Sequence, residues 1–284
     1  MDEVEIAVIG AAGGTGQAVV SALLRRGKSV RALIHRAEQK SIFPCIDAVP
    51  VELESVASIA KGVQGAGAVH YVPPVFHDQE EQFGINVIQA LNLTGVRRMS
   101  YHSVLHSGTP GMPHHWRKAR VELHLRHSDL RWTILQPAMY VQTPFAFYIP
   151  EQKVMSPGFS ITKPFAPVDL DDIAEVTATV LSEEGHDYAT YELAGPELLS
   201  FIDMANSLTR VTGEVVQAVQ ADPAVVLSMV EGRGITGNAA ELLRLMMAHY
   251  DAYGLVGNSN VLEMLLKRPA SRFEIVAQRL LGAA

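Results

Sequence analysis

The 284-residue sequence predicts an α/β protein with a doubly wound, mainly parallel sheet, followed by a smaller, mostly helical C-terminal domain. Three observations carry this prediction. The first half alternates short β-rich runs with helix-period patterns, as βαβ units do. A glycine-rich turn joins the first strand to the first helix. After Leu198 the periodicity is almost wholly helical.

The strand candidates are Val4–Ile9, Ser29–Ile34, Ala48–Leu53, Ala68–Val72, Arg98–His102 and Arg131–Gln136. Between them, Thr15–Arg26 places Val19, Val20, Leu23 and Leu24 on one face and meets Gly27 as a stop. Gln79–Leu93 closes at Gly95, and His114–Arg126 follows Pro113. From Pro137 to Phe165 the chain is irregular and rich in aromatics and prolines (Tyr140, Phe145, Phe147, Tyr148, Pro150, Pro157), the texture of a pocket wall or lid. "PVDLDDIAEVTATVL" then opens a helix with acidic residues in its first turn, where the helix dipole favours them. The strand-like Tyr188–Leu193 runs into the turn Gly195-Pro196, and helical segments follow over Phe201–Val211, Ala224–Val230, Asn238–Tyr250 and Ser271–Leu281. The expected organisation is a nucleotide-binding domain over 1–150, rejoined by 166–195, and a substrate-binding or capping domain over 151–284.

Composition narrows the function classes. With 48% hydrophobic residues and no low-complexity tract, the chain can bury a sizeable core. A net charge of -7 without a Lys/Arg cluster argues against a nucleic-acid-binding face. The acidic start MDEVE has neither a basic n-region nor a long apolar run, so a cytoplasmic protein without membrane contact is expected. Cys45, the single cysteine, reads as a small core residue in a reducing compartment.

In "VIGAAGGTGQ" the glycines Gly10, Gly13 and Gly16 recur at every third position. Gly10 allows a tight turn out of the strand, Gly13 lets backbone approach a pyrophosphate, and Gly16 lets the helix pack close to the sheet. The backbone N–H groups and the positive end of the helix then face phosphates. The alternatives are a glycine turn holding no ligand and a methyltransferase-type nucleotide site, which would want an acidic residue closing the second strand. That strand ends Ile34-His35-Arg36, where an NAD site carries Asp or Glu for the ribose 2′-hydroxyl and an NADP site carries Arg for the 2′-phosphate. Arg36, with Lys40 one turn on, points to NADP(H); the alternative is a solvated surface arginine.

Together these residues resemble the NmrA-like, atypical branch of the short-chain dehydrogenases/reductases, which includes NADPH-dependent quinone and triphenylmethane dye reductases and redox-sensing regulators. "VIGAAGGTGQAVV" is similar to the family's G-A-T-G-x-x-G turn, and "VRALIHRAEQK" to its second strand ending in Arg. "GVRRMSYHSV" resembles the strand leading to the active-site serine, "HSDLRWTILQPAMYVQT" the family's "SGLPYTILRPGFFMEN", and "FAPVDLDDIAEVTATVL" its "V-x-x-x-DIAEVAAAVL" helix. The resemblance spans nearly the whole chain and implies a Rossmann fold. It implies that Gly10, Gly13, Gly14, Thr15 and Gly16 hold the pyrophosphate and Arg36 the 2′-phosphate. It places Glu52 beside the adenine, Val72, Pro73 and Pro74 under the adenine ribose, and Pro137, Ala138 and Met139 around the nicotinamide. Tyr140 and Phe145 fall where the family lines its substrate pocket.

In conventional members of the superfamily, a Ser and a Tyr-x-x-x-Lys pair handle the proton. Here Ser103 stands at the serine and Lys118 at the lysine, while His114 occupies the tyrosine position. Residues 114 and 118 share a helix face. An imidazole with a pKa near 6.5 can pass a proton at neutral pH, but its reach is shorter than a tyrosine's. Lys118 is therefore expected to position the ribose, with His114 a candidate proton donor and Ser103, Tyr101 and Tyr140 its rivals. The alternative for Lys118 is a surface pair with Glu122. A weakened donor suits an easily reduced acceptor, and the aromatics from Tyr140 to Tyr148 would supply flat walls for it, or else form the seam between two domains. His102, His106, His114 and His115 lack metal-site spacing, so no metal is expected. The function expected is an NADPH-dependent oxidoreductase passing hydride to a quinone or similar conjugated small molecule. Its rival is a non-catalytic NADP(H)-sensing regulator acting through a protein partner, and a third reading is isomerisation or elimination with the nucleotide retained. A homodimer is among the assemblies left open.

Overall fold

The computed structural model describes residues 5–232 and 236–282; Val4, the expected start of the first strand, lies outside them. In chain order the elements are β1 (Ile6–Ile9), α1 (Gly14–Arg25), β2 (Val30–Ile34), β3 (Asp47–Pro50), α2 (Val56–Val63), β4 (Ala68–Tyr71), α3 (Glu80–Thr94), β5 (Arg98–His102), α4 (Pro113–Arg126) and β6 (Arg131–Pro137). Then come β7 (Tyr148–Ile149), β8 (Val154–Met155), α5 (Leu170–Ser182), β9 (Ala189–Leu193), α6 (Phe201–Thr212), β10 (Gln217–Ala218), α7 (Pro223–Glu231), α8 (Asn238–Tyr253), α9 (Asn260–Leu266) and α10 (Phe273–Leu281). The chain forms two compact units, one of Met1–Gly108, His115–Gln136 and Ile173–Tyr191, the other of Thr109–His114, Pro137–Asp172 and Glu192–Ala284.

The seven-stranded sheet has the order β3-β2-β1-β4-β5-β6-β9, and every pairing from β3 to β6 is parallel. Strand alternation explains how it is covered on both faces. Ile6 and Val8 of β1 bury against Val19, Val20 and Leu23 of α1 and Ala174, Ala178 and Leu181 of α5. Ala7 and Ile9 bury on the other face, with Ile59 and Val63 of α2, Phe83 and Val87 of α3, and Val121 and Leu125 of α4. The fold is therefore doubly wound. From β1 the chain steps outward to β2 and β3, then returns to β4 on β1's other side, which opens a crevice at the carboxyl ends of β1 and β4.

Some local expectations are corrected. Cys45 is exposed rather than core, and the neighbouring Phe43 takes the buried position. The third strand ends at Pro50; the Val51 N–H still donates to the Ile34 carbonyl at 2.8 Å, and Leu53 lies in a turn rather than in the strand. Tyr188 has φ +60, so the last strand of the large sheet begins at Ala189. The irregular stretch after Pro137 carries β7 and β8, which join β10 in a small sheet of order β10-β8-β7.

The second unit is held by aromatic packing and by buried carboxylates. Phe147, Phe159, Phe165, Phe201 and Tyr250 form ring pairs with centroids 5.4 to 6.0 Å apart, mostly edge-to-face. Asp172 is buried and accepts from Arg268 (2.8 Å), the Ser271 N–H (2.7 Å) and the Ser271 hydroxyl (3.1 Å). Asp172→Ala strands an N–H, a hydroxyl and part of a guanidinium at once. A loss of about 3 kcal/mol is expected, read as a lower urea midpoint by circular dichroism.

Candidate functional site

At the carboxyl ends of β1, β2 and β4 lies a cleft of about 510 Å³. Gly10, Gly13, Gly14 and Thr15 form one wall; Ile34 and His35 close β2; Val51, Leu53 and Glu54 follow β3; Val72, Pro73, Pro74, Val75, His77 and Phe83 follow β4. Gly10 has φ +79, and a Cβ there would stand 2.4 Å from the Val72 carbonyl oxygen, so only glycine fits. A Cβ on Gly16 would meet the Gly10 carbonyl oxygen at 2.3 Å, so α1 seats directly on the turn. At Gly14 a Cβ would meet nothing within 4 Å.

The cleft fits a dinucleotide. Gly13, the N-cap of α1, brings no side chain, and the first turn of α1 has no acidic residue. The positive end of the helix thus carries no anion of its own and is open to a pyrophosphate. Val51, Leu53, Pro73 and Pro74 supply the apolar surface an adenine needs. No carboxylate closes β2, where the order is Ile34-His35-Arg36. Arg36 is exposed and follows the cleft-lining His35; Gln39 Oε1 accepts from the N–H groups of both, at 3.1 and 2.9 Å. Glu52 is exposed and lies off the cleft lining, while Glu54 lies on it.

The alternation that sorts the core also builds a buried polar cluster. Met99 and Tyr101 of β5 face α3 and α4, and Ser103 continues that parity. Its hydroxyl lies 2.5 Å from Oε1 of the buried Glu122. Gln136 Nε2 donates to the same oxygen (2.7 Å) and to the Ser107 hydroxyl (3.1 Å), and Arg126 reaches Glu122 Oε2 at 3.1 Å. Lys118 is buried and ion-paired with the buried Glu80, so the surface pair with Glu122 is not the arrangement formed. Tyr71 and Tyr101 stack at 5.8 Å. Burial, reinforced by Glu80, pushes both phenols well above their usual pKa. Tyr101 is thereby a poor proton donor. On the opposite face His70 and His102 meet edge to face at 5.7 Å; burial holds His70 down to about 3 and His102 well below 6.5.

His114 and Lys118 stand four residues apart on α4, both buried. Pro137, Ala138, Met139, Tyr140 and Phe145 are organised within the second unit. There the Ala138 N–H donates to the Leu193 carbonyl, the Met139 carbonyl accepts from the Val168 N–H, Tyr140 bridges to Val168, and Phe145 stacks on Phe273 at 6.1 Å. Phe147 belongs to the aromatic core of that unit. Sequence reasoning missed His35, Glu54, His77 and Phe83 on the cleft, and the buried Glu80 and Glu122. Only Glu122 had a signal, its i+4 spacing from Lys118, and that pointed to the wrong partner. Among the described residues no group of three or more His, Cys, Asp or Glu could hold a metal ion, and no helix is long and apolar enough to cross a membrane.

The sequence model of the NmrA-like family matches residues 2–273. An NAD(P)H azoreductase of Xenophilus azovorans is 23% identical over 281 residues, spanning 94% of this chain and 95% of that protein. Among solved structures, the NADPH-dependent quinone oxidoreductase of Escherichia coli in complex with NADPH superimposes with a TM-score of 0.86 at 23% identity, covering 97% of this chain and 99% of that one. The triphenylmethane reductase of Citrobacter sp. complexed with NADP(H) gives 0.84 at 20% identity, covering 97% and 99%.

Proposed function

The chain belongs to the NmrA-like family, and from that premise we propose that it is an NADPH-dependent reductase delivering hydride to a quinone or similarly conjugated small molecule. The observation that carries the reading is the cleft itself: a glycine cradle at an unopposed helix N-terminus, beside a second strand that ends without a carboxylate and passes into Arg36. NADPH, when bound, supplies the hydride. Gly10, Gly13, Gly14 and Thr15 shape the pyrophosphate seat, with Gly16 holding α1 against it. Arg36, with Lys40 beyond it, meets the 2′-phosphate, and Val72, Pro73 and Pro74 pass under the adenosine. Lys118 orients the nicotinamide ribose, and Pro137, Ala138 and Met139 frame the ring.

Proton supply favours an undemanding acceptor. Ser103 has one hydroxyl proton, and it is committed to the Glu122 carboxylate, so toward a substrate this serine presents lone pairs. Tyr101 is buried with a raised pKa. His114 is then the favoured proton donor in this reading, with Tyr140 as alternate and Phe145 as an apolar wall. A quinone or extended dye accepts hydride readily and needs little acid assistance. The similarity to an NAD(P)H azoreductase and to quinone and dye reductases supports the same class of acceptor.

Anaerobic NADPH oxidation against a panel of quinones, azo compounds and triphenylmethane dyes tests the reading. Turnover is expected with at least one quinone. Arg36→Ala should raise the KM for NADPH about tenfold, the worth of one charge-assisted contact, and leave that for NADH unchanged. Tight NADPH binding with no acceptor reduced would replace the enzyme with a redox-sensing regulator.

A further inference from the structure

Glu80 has no solvent exposure, although it stands in the acidic run Asp78-Gln79-Glu80-Glu81 that opens α3. The flanking acids behave as a solvated helix start should: Asp78 pairs with Arg117 and Glu81 with Arg120. Glu80 turns inward, and its Oε1 pairs with the Lys118 ammonium from α4. Its Oε2 and the hydroxyls of Tyr71 and Tyr101 are buried without hydrogen-bond partners. Removing two ions from water costs several kcal/mol each, a cost that apolar residues of similar volume would avoid. His77 and Phe83, on either side of Glu80 in sequence, line the nucleotide cleft, so the carboxylate anchors Lys118 to a segment of the cleft wall.

We propose that Glu80 is a positioning residue for Lys118: it fixes the ammonium against the α3 segment whose His77 and Phe83 line the cleft, leaving two of its three N–H donors for the two hydroxyls of the nicotinamide ribose. This rests on the reductase reading above. The donor count closes, because one proton goes to Glu80 Oε1 and two remain. Arg117 of α4 and His77 before α3 act on the Glu80 carboxyl; Tyr71 of β4 and Tyr101 of β5 feel Glu80, His102 feels Lys118 from the other face of the sheet, and Tyr101 also senses Glu122. Burial raises the Glu80 carboxyl, while Lys118, Arg117 and His77 pull it down. Its place in the first turn of α3 adds a dipole that favours the anion. Without that anion a buried ammonium loses its proton more easily.

The test is NADPH affinity, measured by fluorescence titration from pH 6 to 10 on wild type, Glu80→Gln, Glu80→Asp and Lys118→Ala, with the thermal midpoint recorded for each. Glu80→Gln should weaken NADPH binding about tenfold and move the alkaline limb of binding down by about two pH units. Glu80→Asp, which keeps the charge on a shorter arm, should weaken binding and leave the limb in place; it also carries the test if the glutamine variant does not fold. A lower thermal midpoint with unchanged affinity and an unmoved limb would overturn the proposal. So would weakened binding in Lys118→Ala beside wild-type binding in Glu80→Gln, which would leave the reductase reading standing. If Lys118→Ala binds NADPH as wild type does, the ribose role of Lys118 falls, and this proposal with it.

Discussion

Gly16→Ala is expected to cost about 3 kcal/mol of stability and to abolish measurable NADPH binding. The added methyl would meet the Gly10 carbonyl oxygen at 2.3 Å, the Ala11 Cα at 2.6 Å and the Ala11 carbonyl oxygen at 2.7 Å. All three are backbone, so no rotamer relieves the clash. Either α1 lifts from β1, uncovering Val19, Val20 and Leu23, or the turn opens and the seat for the pyrophosphate is lost. Gly14→Ala separates the two functions of the turn. Its methyl meets no atom within 4 Å, and alanine is the better helix former by about 1 kcal/mol, so stability should hold or rise. The methyl lies at the cleft wall, so NADPH affinity should nevertheless fall. Urea denaturation and NADPH titration on the two variants check both statements. Equal losses of stability would refute the division of labour among these glycines.

The same contrast explains what was legible beforehand. Gly10, Gly16 and the end of β2 are local features: a left-handed φ, a close helix approach and the residue after a strand all leave marks within a few positions. The sheet was legible because β1, β2 and β4 are short runs rich in apolar residues, and Gly27 and Gly95 mark helix ends. Glu80 left no mark, because an acid at a helix start reads as solvated and its partner lies 38 residues away. Glu122 read as the neighbour of Lys118, yet Ser103, just after β5, and Gln136 of β6 claim it. α2 was missed because its eight residues are rich in β-branched Val56, Ile59 and Val63, with only the Ser55 cap to announce it. The strands β7, β8 and β10 have two residues each, too few to show any period. In the aromatic stretch, sequence left pocket wall and packing seam equally open. Phe147 joins the core of the second unit and Phe145 stacks on Phe273, a difference set by residues more than 50 positions downstream.

Stability is expected to fall by roughly 3 kcal/mol between pH 6.5 and 5, because the folded chain refuses protons that the unfolded chain accepts. In the unfolded chain His70 and His102 titrate near 6.5. In the folded one, burial keeps His70 neutral down to about 3 and His102 neutral well below 6.5, with each ring also lying against the other. The stabilisation of the neutral forms is therefore complete above 6.5 and is lost as pH falls toward 3. The slope approaches 1.4 kcal/mol per pH unit for each ring, or about 3 for the pair. Carboxylates do not account for this window. Glu5, Glu81, Asp203 and Glu241 are held below the usual range, so their contributions fade only at more acid pH, and as largely solvated pairs they count for little. Glu80 acts in the opposite sense: burial raises its carboxyl, so protonating it as pH falls toward 4.5 relieves the folded state and offsets part of the loss. Urea midpoints from pH 7.5 to 5 measure the slope, and His70→Asn should halve it. Equal midpoints for the wild type at pH 7 and pH 5 would mean that water reaches these two rings and that the sheet between β4 and β5 is less tightly closed than its packing indicates.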